Sequence, residues 1–129
     1  MQVDEELLHK KDPLSLQEWS QLQKHPTLAY QTLKSNAEIP LDSLRLILEH
    51  HENADGSGYP QGLTLEKQHP LTRVLHLIEA YDGLTTFRPY RTAKSPYEAL
   101  KILQEASGPK GALFERRLLK DFISFLSFS

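Results

Sequence analysis

Cysteine is absent from the 129 residues. That excludes a disulfide framework and any thiolate metal site. Imidazole and carboxylate are left as the side chains that would hold a transition metal. Neither sign of charge dominates, since the formal net charge is −2. Bulk electrostatics therefore give no reason to expect a nucleic-acid polymer as partner. No apolar run approaches membrane-spanning length, and the start carries no signal-peptide pattern. No membrane contact is expected, and a cytoplasmic location is the default. Internal repeats and low-complexity tracts are missing too. What is present, 39% hydrophobic and 25% charged residues, fits one globular domain over 1–129 with a real core.

The chain is punctuated by Pro and Gly, and the intervals read as helices. Asp4–Lys10 supplies one or two turns. Ser15 and Glu18 form a capping box ahead of the stripe Leu16, Trp19, Leu22 and Gln23. Pro26 suits the first turn of a helix running to about Lys34. Pro40 opens another, with Leu41, Leu44, Ile47, Leu48 and His51 at helical spacing. Residues 52–69 read as loop, because Gly56, Gly58 and Gly62 interrupt any period. Pro70 opens a helix so apolar (Val74, Leu75, Leu77, Ile78, Tyr81, Leu84) that it is expected to be the central buried one. Ser95 and Glu98 form a second capping box. A last helix is expected from about Leu113 to Ser127. No stretch alternates with period two, so the fold class is all-α.

Residues 50–63 read HHENADGSGYPQGL. Two adjacent imidazoles precede a glycine-broken loop with one aromatic, which suggests a metal site with a substrate loop beside it. Glu79 and Asp82 are a second oddity. They lie three apart on the apolar helix and so share roughly one face, and a carboxylate is costly to bury there unless paired or metal-bound.

The string HHE-x-x-DGSGYP-x-GL resembles the signature of the HD-GYP domain, a branch of the HD-superfamily phosphohydrolases. The likeness extends upstream to His25-Pro26 with Tyr30, although Ala29 stands where the family prefers glycine. Downstream it takes in residues 73–91, ending Arg88-Pro89-Tyr90-Arg91, and the helix after Ser95. In all it covers about Val3 to Phe122. It implies a helical HD-superfamily bundle of about five to seven helices and metal-dependent hydrolysis of cyclic di-GMP.

By position, the resemblance makes His25, His50 and His51 metal ligands, with Glu79 where the family has an aspartate. It makes Tyr59, Arg88 and Arg91 substrate contacts and Asp82 a residue that orients a histidine or a water. The cofactor implied is a divalent transition metal, Fe or Mn, of undetermined number. The partners implied are cyclic di-GMP or a related nucleotide and a GGDEF-type signalling protein.

One family element is not found. The His-Asp-x-Gly-Lys string precedes, in such domains, a segment that Met1–Leu8 resembles. The chain is therefore expected to be N-terminally truncated relative to the family, with Met1 internal to a longer domain or the start of a shortened copy. Weak activity is expected from these residues alone. The alternative is a non-catalytic module that binds nucleotide or a signalling protein. Exposure of the apolar helix would favour a homodimer. His76, three residues before Glu79, is weighed as a substitute ligand, and His69 as a loop or cap residue.

Overall fold

The structure is a computed structural model that describes residues 12–88 and 92–127. The turns expected over Asp4–Lys10, and Arg91, lie outside the described residues. Six α-helices are found among those residues: α1 Leu16–Leu22, α2 His25–Leu33, α3 Leu41–Glu49, α4 Thr72–Thr85, α5 Pro96–Ser107 and α6 Arg116–Ser127. They contain no strand, and an isolated bridge joins Asp55 and Thr64. The all-α reading stands.

Both capping boxes form. Ser15 Oγ accepts from Glu18 N at 3.1 Å, and Glu18 Oε2 accepts from Ser15 N at 2.8 Å. Ser95 and Glu98 repeat the exchange at 3.2 Å in each direction. Each box satisfies two N–H groups that a helix start leaves without partners. Helix α5 ends at Gly108, whose φ of 71° most side chains avoid.

The core lies between α4, α5 and the start of α6. Leu77, Leu103, Phe114 and Leu119 are buried there, with Tyr81, Leu84, Phe122 and Ile123 packed against them. Helix α2 packs on α3, and α4 on α5. The histidine string follows the end of α3, and the loop after it is bonded to Leu113 and Ala112 beside this core.

Three expectations need correcting. The last helix begins at Arg116 rather than Leu113. Leu113 and Phe114 stay in the connection because other bonds claim their backbone. Ser107 Oγ receives Phe114 N at 3.2 Å, and Leu113 O and Ala112 O receive the N–H groups of Ala54 and Asp55, each at 3.0 Å. The 52–69 loop also holds a short 3-10 turn, Leu65–Lys67. Finally, α4 is not buried all round. Thr72 and Leu77 are buried, but Leu71 and Ile78 are 55% and 48% exposed, and Glu79 and Asp82 are exposed as well.

A buried carboxylate joins α3 to α4. Glu49, 3% exposed, accepts from Arg45 Nε and Nη2 at 3.1 and 3.0 Å. Its other oxygen accepts from His69 N at 2.8 Å and Thr72 Oγ1 at 2.7 Å. Charge-assisted bonds of this kind offset the cost of burying the charge. Glu49→Ala leaves His69 N and Thr72 Oγ1 without this acceptor, and a destabilisation of about 1–3 kcal/mol is expected. Thermal unfolding of the two proteins checks it; an unchanged midpoint would refute the role of Glu49 as the α3–α4 tie.

Candidate metal centre and substrate loop

Three histidines from two elements converge. His25 opens α2, and His50 and His51 follow the last turn of α3. His25 Nδ1 donates to Leu22 O, and His50 Nδ1 donates to Ile47 O, both at 2.6 Å. A carbonyl only accepts, so in each neutral ring the proton is on Nδ1 and the lone pair on Nε2. Those two Nε2 atoms face each other at 3.2 Å, and His51 Nε2 lies 3.1 Å from His25 Nε2.

The His25 and His50 lone pairs so placed repel unless something positive lies between them. Metal–imidazole bonds of about 2.0–2.1 Å put neighbouring ligand nitrogens about 3 Å apart, so the spacing fits a shared cation. Among the described residues, these three offer ligand atoms that all lie within 4.8 Å of one another. Burial first, then the neighbouring His50, His25 and His76, hold the His51 imidazole down at about 3. His51 is therefore neutral near pH 7, the form that ligates metal. The donor set fits a divalent cation.

The loop over the trio is held by a second buried carboxylate. Glu52 is 1% exposed. Its Oε1 accepts from Gln61 N at 2.7 Å and its Oε2 from Leu63 N at 2.8 Å. Gln68 closes the base, donating from Nε2 to Asn53 O and Leu63 O at 3.0 and 2.9 Å. Tyr59 N donates to His51 O at 3.2 Å. At Gly58 the loop crosses its own start so closely that a Cβ would lie 2.4 Å from both His51 O and Asn53 N. Only glycine fits there, for want of space rather than for its dihedrals. As a result the Tyr59 ring lies nearly parallel to the His51 imidazole, 4.9 Å between centroids and 17° between planes.

The other expected residues divide. Glu79 is not among the converging ligand atoms and its residue is exposed. Its charge nevertheless reaches the site: burial, then Glu79, push the Tyr59 phenol above its ordinary value. Asp82 Oδ1 accepts from Thr86 Oγ1 at 3.1 Å, at the end of α4. Arg88 is half-buried just beyond that helix.

His76 has another task than the substitute-ligand role weighed for it. Its Nδ1 lies 3.0 Å from His50 O and its Nε2 2.9 Å from Asn53 Oδ1, so it braces the backbone that carries the pair. Desolvation pushes its pKa down. His69 serves as a cap, its Nδ1 accepting from Leu71 N at 3.1 Å. Nothing in the sequence pattern singles out Glu49, Glu52 and Gln68. Their acceptors and donors are mostly backbone groups, which leave no mark in the spelling. A groove of about 630 Å³ between α5 and α6, lined by Gln104, Glu105, Arg116 and Lys120 among others, includes no residue of the trio.

The profile of the HD domain family matches residues 2–110. A cyclic di-GMP phosphodiesterase of Thermotoga maritima is 31% identical over 108 residues, covering 82% of this chain and 29% of the relative. The 3'3'-cGAMP-specific phosphodiesterase 3 of Vibrio cholerae is 34% identical over 104 residues, covering 80% and 22%. The chain thus spans less than a third of the length of these curated relatives. In fold it is similar to Bd1817, an HDG"Y"P protein from Bdellovibrio bacteriovorus, with a TM-score of 0.74 and 22% identity over 94% of this chain and 37% of that one. With the family profile matched over most of its length and the His50–Leu63 signature in place, the chain belongs to the HD-domain family and to its HD-GYP branch.

Proposed function

We propose that this chain carries a metal-dependent phosphodiesterase site of the HD-GYP type that takes a cyclic dinucleotide, cyclic di-GMP first among them. The observation that carries the reading is the convergence of the His25, His50 and His51 Nε2 atoms beneath the Tyr59 loop. Fe or Mn would be held by these three nitrogens, with Glu79 the candidate carboxylate ligand. A divalent cation in such a site lowers the pKa of bound water and offsets charge developing on phosphoryl oxygens.

The protein supplies placement. Leu22 O and Ile47 O fix the tautomers of His25 and His50, as ligand-orienting partners do. Glu52 fixes the loop, and through it Tyr59, against His51. Arg88 offers a planar, permanently charged guanidinium suited to a phosphate, and Arg91 is proposed for the same task. Asp82 is proposed to orient a water or a ligand beside them.

A second reading, binding without turnover, is favoured by one observation. The described residues hold a single converging ligand group, whereas the two-metal mode of phosphoester cleavage needs donors for a second ion. Both readings share the nucleotide and the metal, and kinetics separates them. Leu71, the residue that caps α4, and Ile78, two turns on, are exposed and are proposed as contacts for a second copy of the chain or a GGDEF-type partner.

The 129-residue chain is expected to retain about one Mn or Fe per molecule by elemental analysis, and His50→Ala to lose it. Turnover of cyclic di-GMP should be weak; strong turnover abolished by His50→Ala would reject the binding-only reading. Glu52→Gln sets an amide N–H against a loop N–H, so nucleotide affinity should fall by about tenfold for one lost charge-assisted bond. Metal content should be unchanged, and joint loss of metal and nucleotide would show that Glu52 holds more than the loop. Sedimentation should reveal a concentration-dependent dimer that Ile78→Lys weakens, against which a strictly monomeric profile would count.

A further inference from the structure

Trp19 is the only tryptophan of the chain, and it stands beside the site without serving the core. Helix α1 buries none of its residues, and Trp19 itself is 46% exposed. Its position is nonetheless fixed. Leu22, one turn further on, receives the His25 Nδ1 proton at 2.6 Å, so the helix that bears the indole is braced on the histidine trio. The indole meets Tyr59 edge-to-face, with centroids 6.4 Å apart and planes at 79°. Tyr59 in turn is stacked on His51. The three rings therefore step outward from the trio: imidazole, phenol, indole.

Aromatic pairs at this angle leave much of one ring uncovered, and here the uncovered ring opens to water. In a nucleotide the base hangs one ribose away from its phosphate. A phosphate at the trio would thus bring a base out along this row of rings rather than over the imidazoles.

We propose that Trp19 is a stacking platform for a nucleobase of the bound nucleotide. The proposal rests on the reading above that the site takes a cyclic dinucleotide. Stacking recognises a π face and not a hydrogen-bonding edge, so either purine would be accepted. Trp19 sets affinity, while the row of histidines sets where the phosphate lies.

A single indole makes the test direct, because all tryptophan fluorescence has one source. Mn-loaded protein is titrated with cyclic di-GMP, following fluorescence and, separately, the heat of binding. Inorganic phosphate serves as a probe with no base. Cyclic di-GMP is expected to change the Trp19 emission with the affinity found calorimetrically, and phosphate to leave it unaltered. Trp19→Ala should weaken binding by roughly five- to a hundredfold, the range of one base–aromatic stack, with metal content unchanged. Trp19→Phe should recover most of that affinity.

If cyclic di-GMP binds by calorimetry but neither changes the emission nor binds Trp19→Ala less tightly, the platform is refuted and the site reading survives. A lower melting temperature of Trp19→Ala at equal affinity refutes it likewise, assigning the indole to packing. If the Mn-loaded wild type binds no dinucleotide at all, the site reading falls and takes this proposal with it.

Discussion

Two buried carboxylates three residues apart, Glu49 and Glu52, hold the geometry around the histidine pair. One lies just before it and one just after. Glu49 draws the end of α3 onto the start of α4 through His69 N and Thr72 Oγ1, while Arg45, one turn back on α3, pairs with its other oxygen. Glu52 draws the returning loop back through Gln61 N and Leu63 N. Neither charge would be tolerated at 3% and 1% exposure without these donors. The pair His50-His51 is thereby fixed between a helix junction and a loop that cannot drift. His76 adds a third brace from α4, at the His50 carbonyl. The convergence of imidazole nitrogens is an outcome of this bracing, and the packed core of α4, α5 and α6 is the platform from which it is applied.

Much of this was legible beforehand. The two capping boxes form where Ser-x-x-Glu stands before an apolar run, because a cap is a local bond between neighbours in sequence. His25, His50 and His51 were named as one group on resemblance, and their ring nitrogens do converge. What stayed hidden depends on partners far along the chain. Glu52 reads as one more charged loop residue until Gln61 N and Leu63 N are known to face it. The start of α6 lies later than hydrophobicity predicts, because Leu113 and Phe114 look like helix residues while their backbone is bonded to the 52–69 loop and to Ser107. The exposure of α4 departs from its composition for a related reason. Apolar content says that a helix has something to cover, not which of its faces is covered.

The comparison with relatives separates fold from chemistry. The fold of the described residues is shared with a solved HD-GYP-type protein, and the family assignment rests on most of the chain. Glu79 illustrates how far position alone reaches. It is exposed, and it makes itself felt through Tyr59 rather than through the converging nitrogens. The Glu79 carboxylate thus shapes the electrostatics of the aromatic loop without joining the histidine trio.

The crossing at Gly58 has a consequence for how a substrate arrives. With no room for even one carbon between the loop and residues 51–53, the loop is a wall and not a lid. Binding should then involve little ordering of the Tyr59 segment, since its entropy is already spent in folding. Under the proposed reading, a nucleotide would have to reach the trio from a side that this loop does not close.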